Sequence, residues 1–413
     1  MIIKWIKTVI QRRVFKDTSY VAIAQFITIG IGFITSIVFA RNLGLEGFGQ
    51  YNLLMVYIAL AKICGLPGMN VVIRKGVLKG YDPIFKLALR KSIYFASFCS
   101  LFIVLLSVII YSINLITQEA FISFLVIASF TVLSGLDKYD NLLQAKKAFF
   151  LSRKIMVLSS FLTLCLVGGT AYYTKSFIFV ICALFFVRLL TIIYGLYISN
   201  KLIIPMNDDI FKQQLLFEES KKYTMFSLFN IGVGQLDKLI IGLIDPKLLA
   251  IYSVGSFIPR KIKDNIKTLI SVPVMHMGSM SKEKNLYLLK KHGAKLFLFG
   301  FFLTVIIWAT VPWFIPYFYG KEYHNAVWIA QVLSLSLGFN LLGLMLLNYD
   351  IYQNRGNFYR KQLLIRQLVY VALVAIAISY YGIYGLVFSI VFVEIIFSLI
   401  IVFITKHKNT LQT

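Results

Sequence analysis

Arg260, Lys263, Asp264 and Lys267 lie in a largely apolar stretch, 248–275, at positions i, i+3, i+4 and i+7. That spacing puts all four on one face of a helix. A cation at the centre of a spanning helix costs about 2.5–3.5 kcal/mol even on a lenient insertion scale. Three on one face are tolerable where they line a watery cleft or hold an anion. The chemistry is then anion binding, with Arg260 able to fork onto phosphate oxygens and the lysines acting as point charges. The other reading ends the helix at Pro259 and leaves the charges in water. It strands a segment of about 12 residues where about 20 are needed to cross.

A second candidate is Asp237-Lys238, with Asn230, in the run 223–243. In the functional reading Asp237 is a proton- or ion-coupling carboxylate and Lys238 a further anion contact. In the structural reading the two neutralise each other, or Asp237 pairs with Arg260. Lys62 precedes Gly65-Leu66-Pro67-Gly68, a sequence that breaks or kinks a helix. It either joins the anion site or reaches the membrane surface or a neighbouring helix. Arg188 and Glu394 also fall in apolar runs, as partners within the fold or as cleft lining. Asp137, Lys138 and Asp140 close another run and read as an interfacial ion cluster.

Other chemistries lack their residues. There is no Gly-rich phosphate loop with Lys-Ser/Thr, so ATP binding is not expected. No acidic pair, nucleophile motif or histidine cluster falls on an outside loop, and no catalytic residue is assigned. Cys64, Cys99, Cys165 and Cys182 read as small buried hydrophobes, and the four histidines are scattered. Neither a metal nor another cofactor is expected.

The elements that position these residues follow from composition. The chain has 413 residues, 59% of them hydrophobic, and a mean hydropathy of +0.80. Soluble domains sit well below that, so the class is a polytopic all-α membrane protein. The net charge of +25 must lie mostly in loops. Nucleic-acid binding, the other usual reading of a basic chain, is excluded because no soluble segment is long enough to form a binding domain.

About twelve spanning helices are expected, near 20–40, 49–72, 92–113, 120–142, 155–174, 177–199, 223–243, 248–275, 294–315, 324–349, 363–381 and 383–404. Alternate gaps, with both termini and the helix ends that border them, then hold 31 basic residues against 4. The 4 are Arg41, Lys175, Lys247 and Lys321. A miscounted helix would invert this parity, so both termini are expected in the cytoplasm. Residues 1–19 carry Lys4, Lys7, Arg12 and Arg13 beside Ile2, Ile6, Val9 and Ile10, a pattern suited to a helix on the membrane surface. A signal peptide is the other reading, but the apolar run is too long and no cleavage site follows it. The divisions are then a basic interfacial segment, 1–19, a six-helix half, 20–199, a cytoplasmic linker, 200–222, a second half, 223–404, and a tail, 405–413.

The halves echo one another. Ile29-Gly30-Ile31-Gly32 returns as Ile231-Gly232-Val233-Gly234, and the entry ending at Tyr51 returns as the one ending at Tyr252. The run Ala40-Arg41-Asn42-Leu43-Gly44-Leu45-Glu46-Gly47-Phe48-Gly49-Gln50-Tyr51 resembles the opening signature of Wzx-type polysaccharide flippases, a branch of the MATE-related superfamily. Gly65-Leu66-Pro67 leading to Arg74 resembles that family's second-helix pattern. Asp237-Lys238 followed by Ile251-Tyr252-Ser253 resembles its seventh- and eighth-helix pattern. The resemblance implies a MATE-like fold in a bacterial inner membrane and transport of lipid-linked oligosaccharides. It also implies coupling to a proton or sodium gradient and work alongside polysaccharide assembly proteins.

Joined to the basic stripe, this gives an expected function. The chain moves an undecaprenyl-diphosphate-linked oligosaccharide between leaflets by alternating access. Arg260, Lys263, Lys267, Lys62 and Lys238 would form the anion site, and Asp237 would couple the cycle to an ion. Each bare hydroxyl crossing hydrocarbon costs several kcal/mol, which a hydrated cleft avoids while the lipid tail stays in the bilayer. The alternatives are a cation or drug antiporter of the same superfamily, an envelope polymerase or ligase, and a membrane scaffold. The first favours an acidic cleft, the second needs a large outer loop, and the third has no use for so many buried charges.

Overall fold

Helix α1 (Ile2–Ala61) is bent where Gly44 takes φ 67° and ψ −179°. Only glycine adopts that conformation at low cost, so the polar Asn42–Gly47 stretch becomes the corner between two apolar arms. The computed structural model describes the backbone of residues 2–204, 210–277, 282–343 and 356–410. Side chains are described for 19–204, 217, 218, 220–266, 293–343 and 362–401. Among the described residues there are helices and turns and no strand.

The chain forms two units, Met1–Pro246 and Lys247–Thr413. After α1, the first holds a short 3-10 helix (Lys62–Gly65), α2 (Gly68–Leu78), α3 (Ile84–Ser112), α4 (Gln118–Leu136) and α5 (Tyr139–Ala145). It continues with α6 (Phe149–Leu162), a π-turn (Thr163–Val167), α7 (Gly168–Thr174), α8 (Phe177–Lys201) and α9 (Ile210–Ile244). The second unit holds α10 (Pro246–Met277), α11 (Lys282–Phe318), α12 (Ala326–Ser334), α13 (Leu337–Gly343) and α14 (Gly356–Thr410).

In the first unit α3 packs along α4, and α1 against α6 and α9. The α3–α4 hairpin is close because Gly135 has no side chain. A methyl there would lie 2.8 Å from the carbonyl oxygen of Ser92. Thr117 caps α4 by accepting a hydrogen bond from the Ala120 N–H at 3.3 Å. Leu54, Ile58, Phe130, Leu133, Leu143 and Ile192 form one core cluster. At one end, buried Asp82 accepts from Lys146 at 2.5 Å and from the Ile204 N–H at 2.9 Å, tying the α2–α3 turn to the end of α8.

The outer faces are apolar. On α3, Phe98 is 69% exposed and Phe102 62%. Contiguous exposed apolar surface of this kind needs a hydrocarbon solvent. Among the described residues eight helices are long and apolar enough to cross a membrane, nine if the pair α12–α13, bent by 41°, counts as one span. The chain is a multi-pass membrane protein, all-helical among the described residues.

The expected segments map onto these elements with several differences, among them the π-turn Thr163–Val167 inside 155–174 and the bend between α12 and α13 inside 324–349, of which 344–349 lie outside the described residues. Segments 20–40 and 49–72 belong to one bent helix plus a broken continuation. Segments 363–381 and 383–404 are the two arms of α14, bent at Gly382, where φ is 56° and ψ −138°. Segment 120–142 is interrupted at Asp137, which leaves helical geometry with ψ 66°. The break at Gly65-Leu66-Pro67 is present: the helix tightens to 3-10 geometry and Leu66 turns left-handed at φ 52°. Helix α10 runs unbroken through Pro259, which overturns the reading that it stops there. Its charges keep it out of the apolar spans. Cys64, Cys99 and Cys182 are half-buried, and Cys165 is exposed rather than buried because it lies on an outward face.

Candidate functional site

The second unit gathers its charges on Glu394, in the second arm of α14. Lys263 of α10 donates to the Glu394 Oε1, and the Arg366 Nη2, from the first arm of α14, reaches the same oxygen at 3.3 Å. Asn340 of α13 donates to the Oε2. Four backbone segments therefore meet on one carboxylate. Of the three charged members the acid is the most enclosed, its side chain 13% exposed against 29% for Lys263 and 26% for Arg366.

Arg260 sits one turn before Lys263 and is oriented by aromatic contact. Its Nη2 donates to the Tyr252 Oη at 2.7 Å, and its guanidinium lies 5.4 Å from that ring's centroid. Tyr252 is fully buried, so this seat is rigid. Asp264 is exposed on α10. Lys267 belongs to α10 in backbone, but its side chain lies outside the described residues.

The first unit has a node of its own around the helix break. The Arg188 Nη2 of α8 donates to the Asp137 Oδ2 at 2.5 Å. Lys138, 2% exposed, donates through Nζ to the Gly65 carbonyl oxygen at 2.6 Å. That carbonyl is available because the 3-10 turn and left-handed Leu66 end the helical ladder there. Lys62 starts the 3-10 turn, is exposed, and makes no hydrogen bond or ion pair among the described residues. Asp140 accepts from Gln144 at 2.7 Å and from Ser152. On α9, Asp237 is buried at 3% exposure and Lys238 is half-buried.

The structure thus brings Arg260 and Lys263 onto one helix of the second unit and puts Lys62, Asp237 and Lys238 in the first. Glu394 proves to be the partner of Lys263, and Arg188 that of Asp137. The interfacial cluster expected at 137–140 reaches into α8. Two members of the second node were missed in the sequence, Asn340 and Arg366. Arg366 reads as a loop cation until α14 is seen to include it. Asn340, a primary amide inside an apolar run, was the available signal.

Residues 14–278 match a family described as polysaccharide biosynthesis protein. No curated protein matches the chain in sequence. Among solved structures, the lipid II flippase MurJ in an inward closed conformation aligns with a TM-score of 0.72 at 16% identity, over 93% of this chain and 87% of that one. The Vibrio cholerae MATE transporter VcmN, as a point mutant, aligns with a TM-score of 0.67 at 12% identity, over 98% of both chains. An inward-facing multidrug resistance MATE family transporter of the MOP superfamily aligns with a TM-score of 0.67 at 14% identity, over 94% of this chain and 98% of that one. At such identities the likeness is one of fold.

Proposed function

The chain belongs to the polysaccharide biosynthesis protein family, and we propose that it is a flippase for lipid-linked oligosaccharides. Its cargo in this reading is an undecaprenyl-diphosphate-linked repeat unit, carried across a bacterial inner membrane by alternating access. The observation that carries the reading is the basic stripe of α10. A helix unbroken across Pro259 holds Arg260 and Lys263 half-buried in its unit, where cations suit a phosphate-bearing head. Arg260, Lys263 and Lys267 of the second unit, with Lys62 and Lys238 of the first, contact the diphosphate during transport. Asp237 couples the cycle to a proton or sodium ion.

The topology that goes with this has twelve crossings. Each arm of α1 and of α14 counts as one, since about 20 helical residues suffice. The bent pair α12–α13 and the charged α10 count as one each. Both termini then face the cytoplasm, and 20–199 and 223–404 form the two related halves. The chain moves its cargo without bond chemistry and works beside polysaccharide assembly proteins.

Deleting the gene in its host should abolish the surface polysaccharide and pile up lipid-linked repeat units on the cytoplasmic side. Retained polysaccharide in that strain rules the reading out. The fold likeness to MATE transporters favours one rival, drug export. Organic cations call for an acidic site, whereas each node here holds more cations than acids. Unaltered polysaccharide together with increased drug susceptibility would establish that rival instead.

A further inference from the structure

We propose that Glu394 is a built-in counter-anion, seated on Lys263 and Arg366 when the carrier is empty and displaced from them by the diphosphate of an isoprenoid-linked cargo. The proposal rests on the flippase reading and gives the second unit a part in it. Nothing in a static ion pair would require an exchange. Three features of this one point to it.

The first is stoichiometry. Two cations share a single oxygen, the Oε1, while the Oε2 goes to the neutral amide of Asn340. Among the described residues the Lys263–Arg366–Glu394 group therefore holds two positive charges against one negative, and Arg260 lies one turn away on α10. The Arg366 contact, at 3.3 Å, is long for a charge-assisted hydrogen bond. A carboxylate with one charge underserves a site built for more.

The second is access. Lys263 and Arg366 are about twice as exposed as Glu394, at 29% and 26% against 13%. A ligand meets the cations before it meets the acid. Because both nitrogens touch one oxygen, they lie close enough together for a single phosphate group to bridge them. A diphosphate brings at least two charges and several acceptor oxygens to a place where the carboxylate offers one.

The third is mechanical. Glu394 joins the second arm of α14 to its first arm, to α10 and to α13. When cargo takes the two cations, only the Asn340 contact still holds the carboxylate. The second arm is then released from α10 and from its own first arm. Departure of the cargo lets the carboxylate reseat. Binding energy is thereby converted into a change of packing, as a two-state element requires. Without the internal anion, an empty carrier would hold two adjacent half-buried cations with no carboxylate between them, an arrangement costly to carry through a return step.

The test uses the purified full-length protein in detergent, with farnesyl diphosphate and inorganic pyrophosphate as probes. A carbodiimide should join Lys263 to Glu394 through an amide in ligand-free wild type, read by peptide mass spectrometry. Farnesyl diphosphate should reduce that cross-link about fivefold or more, by mass action at saturating probe. Glu394→Gln, of equal size, should bind farnesyl diphosphate about tenfold more tightly, since the internal competitor is gone. A cross-link undiminished while the probe binds overturns the proposal, as does a Glu394→Gln protein that binds no better than wild type. If the variant fails to fold, the wild-type cross-link decides alone. Pyrophosphate matching farnesyl diphosphate in both assays supports the exchange but makes free phosphate the ligand, which counts against the lipid-linked reading alone. If neither probe binds either protein, the exchange falls, and the deletion strain still judges the flippase reading separately.

Discussion

The two units meet the same problem with different acceptors. Lys62 follows Tyr51 by the same number of residues as Lys263 follows Tyr252, so the two lysines hold matching places in the echoed segments. In the first unit the helix breaks at Gly65-Leu66-Pro67, and the break exposes a backbone carbonyl. Lys138 satisfies it, Arg188 takes the acid Asp137, and Lys62 is left exposed. In the second unit α10 stays intact, so no carbonyl is released, and Lys263 turns to a carboxylate. The state of the backbone decides what each lysine can bind. An anion arriving at the first unit finds an exposed ammonium. One arriving at the second must compete with Glu394.

The largest effect should come from removing the more enclosed acid. Glu394→Leu leaves Lys263 and Arg366 without their carboxylate and should cost about 3–5 kcal/mol, read as a lowered thermal unfolding midpoint in detergent. Asp137→Leu should cost less, about 1–3 kcal/mol, because the Arg188 and Asp137 side chains are 39% and 27% exposed and water shares the charge. An equal or reversed order would mean that the nodes are alike and the contrast is wrong. Of the same size is Lys138→Met, which keeps volume but leaves the Gly65 carbonyl without its donor. Its expected cost is about 1–3 kcal/mol. A neutral result would show that the carbonyl finds water and that the break needs no lysine.

The sequence carried the fold further than the nodes. Long apolar runs place the helices, because hydrocarbon demands apolar side chains and a backbone satisfied within each helix. The kink at Gly65-Leu66-Pro67-Gly68 was legible since proline and glycine act locally. The ion pairs were not. Lys263 and Glu394, like Asp137 and Arg188, are far apart in the chain, and hydropathy gives a buried charge no address for its partner. The stripe on α10 illustrates the limit. Spacing put Arg260, Lys263 and Asp264 on one face, yet Arg260 turns to a tyrosine, Lys263 to an acid on another helix, and Asp264 outward.

A smaller effect tests the far side of the break. The Gly68 N–H, at the start of α2, donates to the Thr224 Oγ1 of α9 at 3.1 Å. Thr224→Val keeps the shape and removes the acceptor, at an expected cost of about 0.5–1.5 kcal/mol. Unfolding midpoints of wild type and variant check it, and no loss would mean that α9 does not help to hold the broken helix.

The smallest effect on stability belongs to the residue with the most to say about function. Lys62 has no hydrogen-bonded or ion-paired partner among the described residues, so little in the fold depends on its charge. Lys62→Gln should therefore change stability by no more than about 0.5 kcal/mol. Lys263→Gln, in contrast, strips Glu394 of its nearest cation and should destabilise measurably. If Lys62 nevertheless serves the cargo, the glutamine variant will fold, insert and fail to restore surface polysaccharide in the deletion strain. Full restoration would remove Lys62 from the anion site and leave the exposed ammonium without a role. A clear loss of stability would show that the charge is held after all, and the contrast between the two lysines would then rest on the backbone break alone.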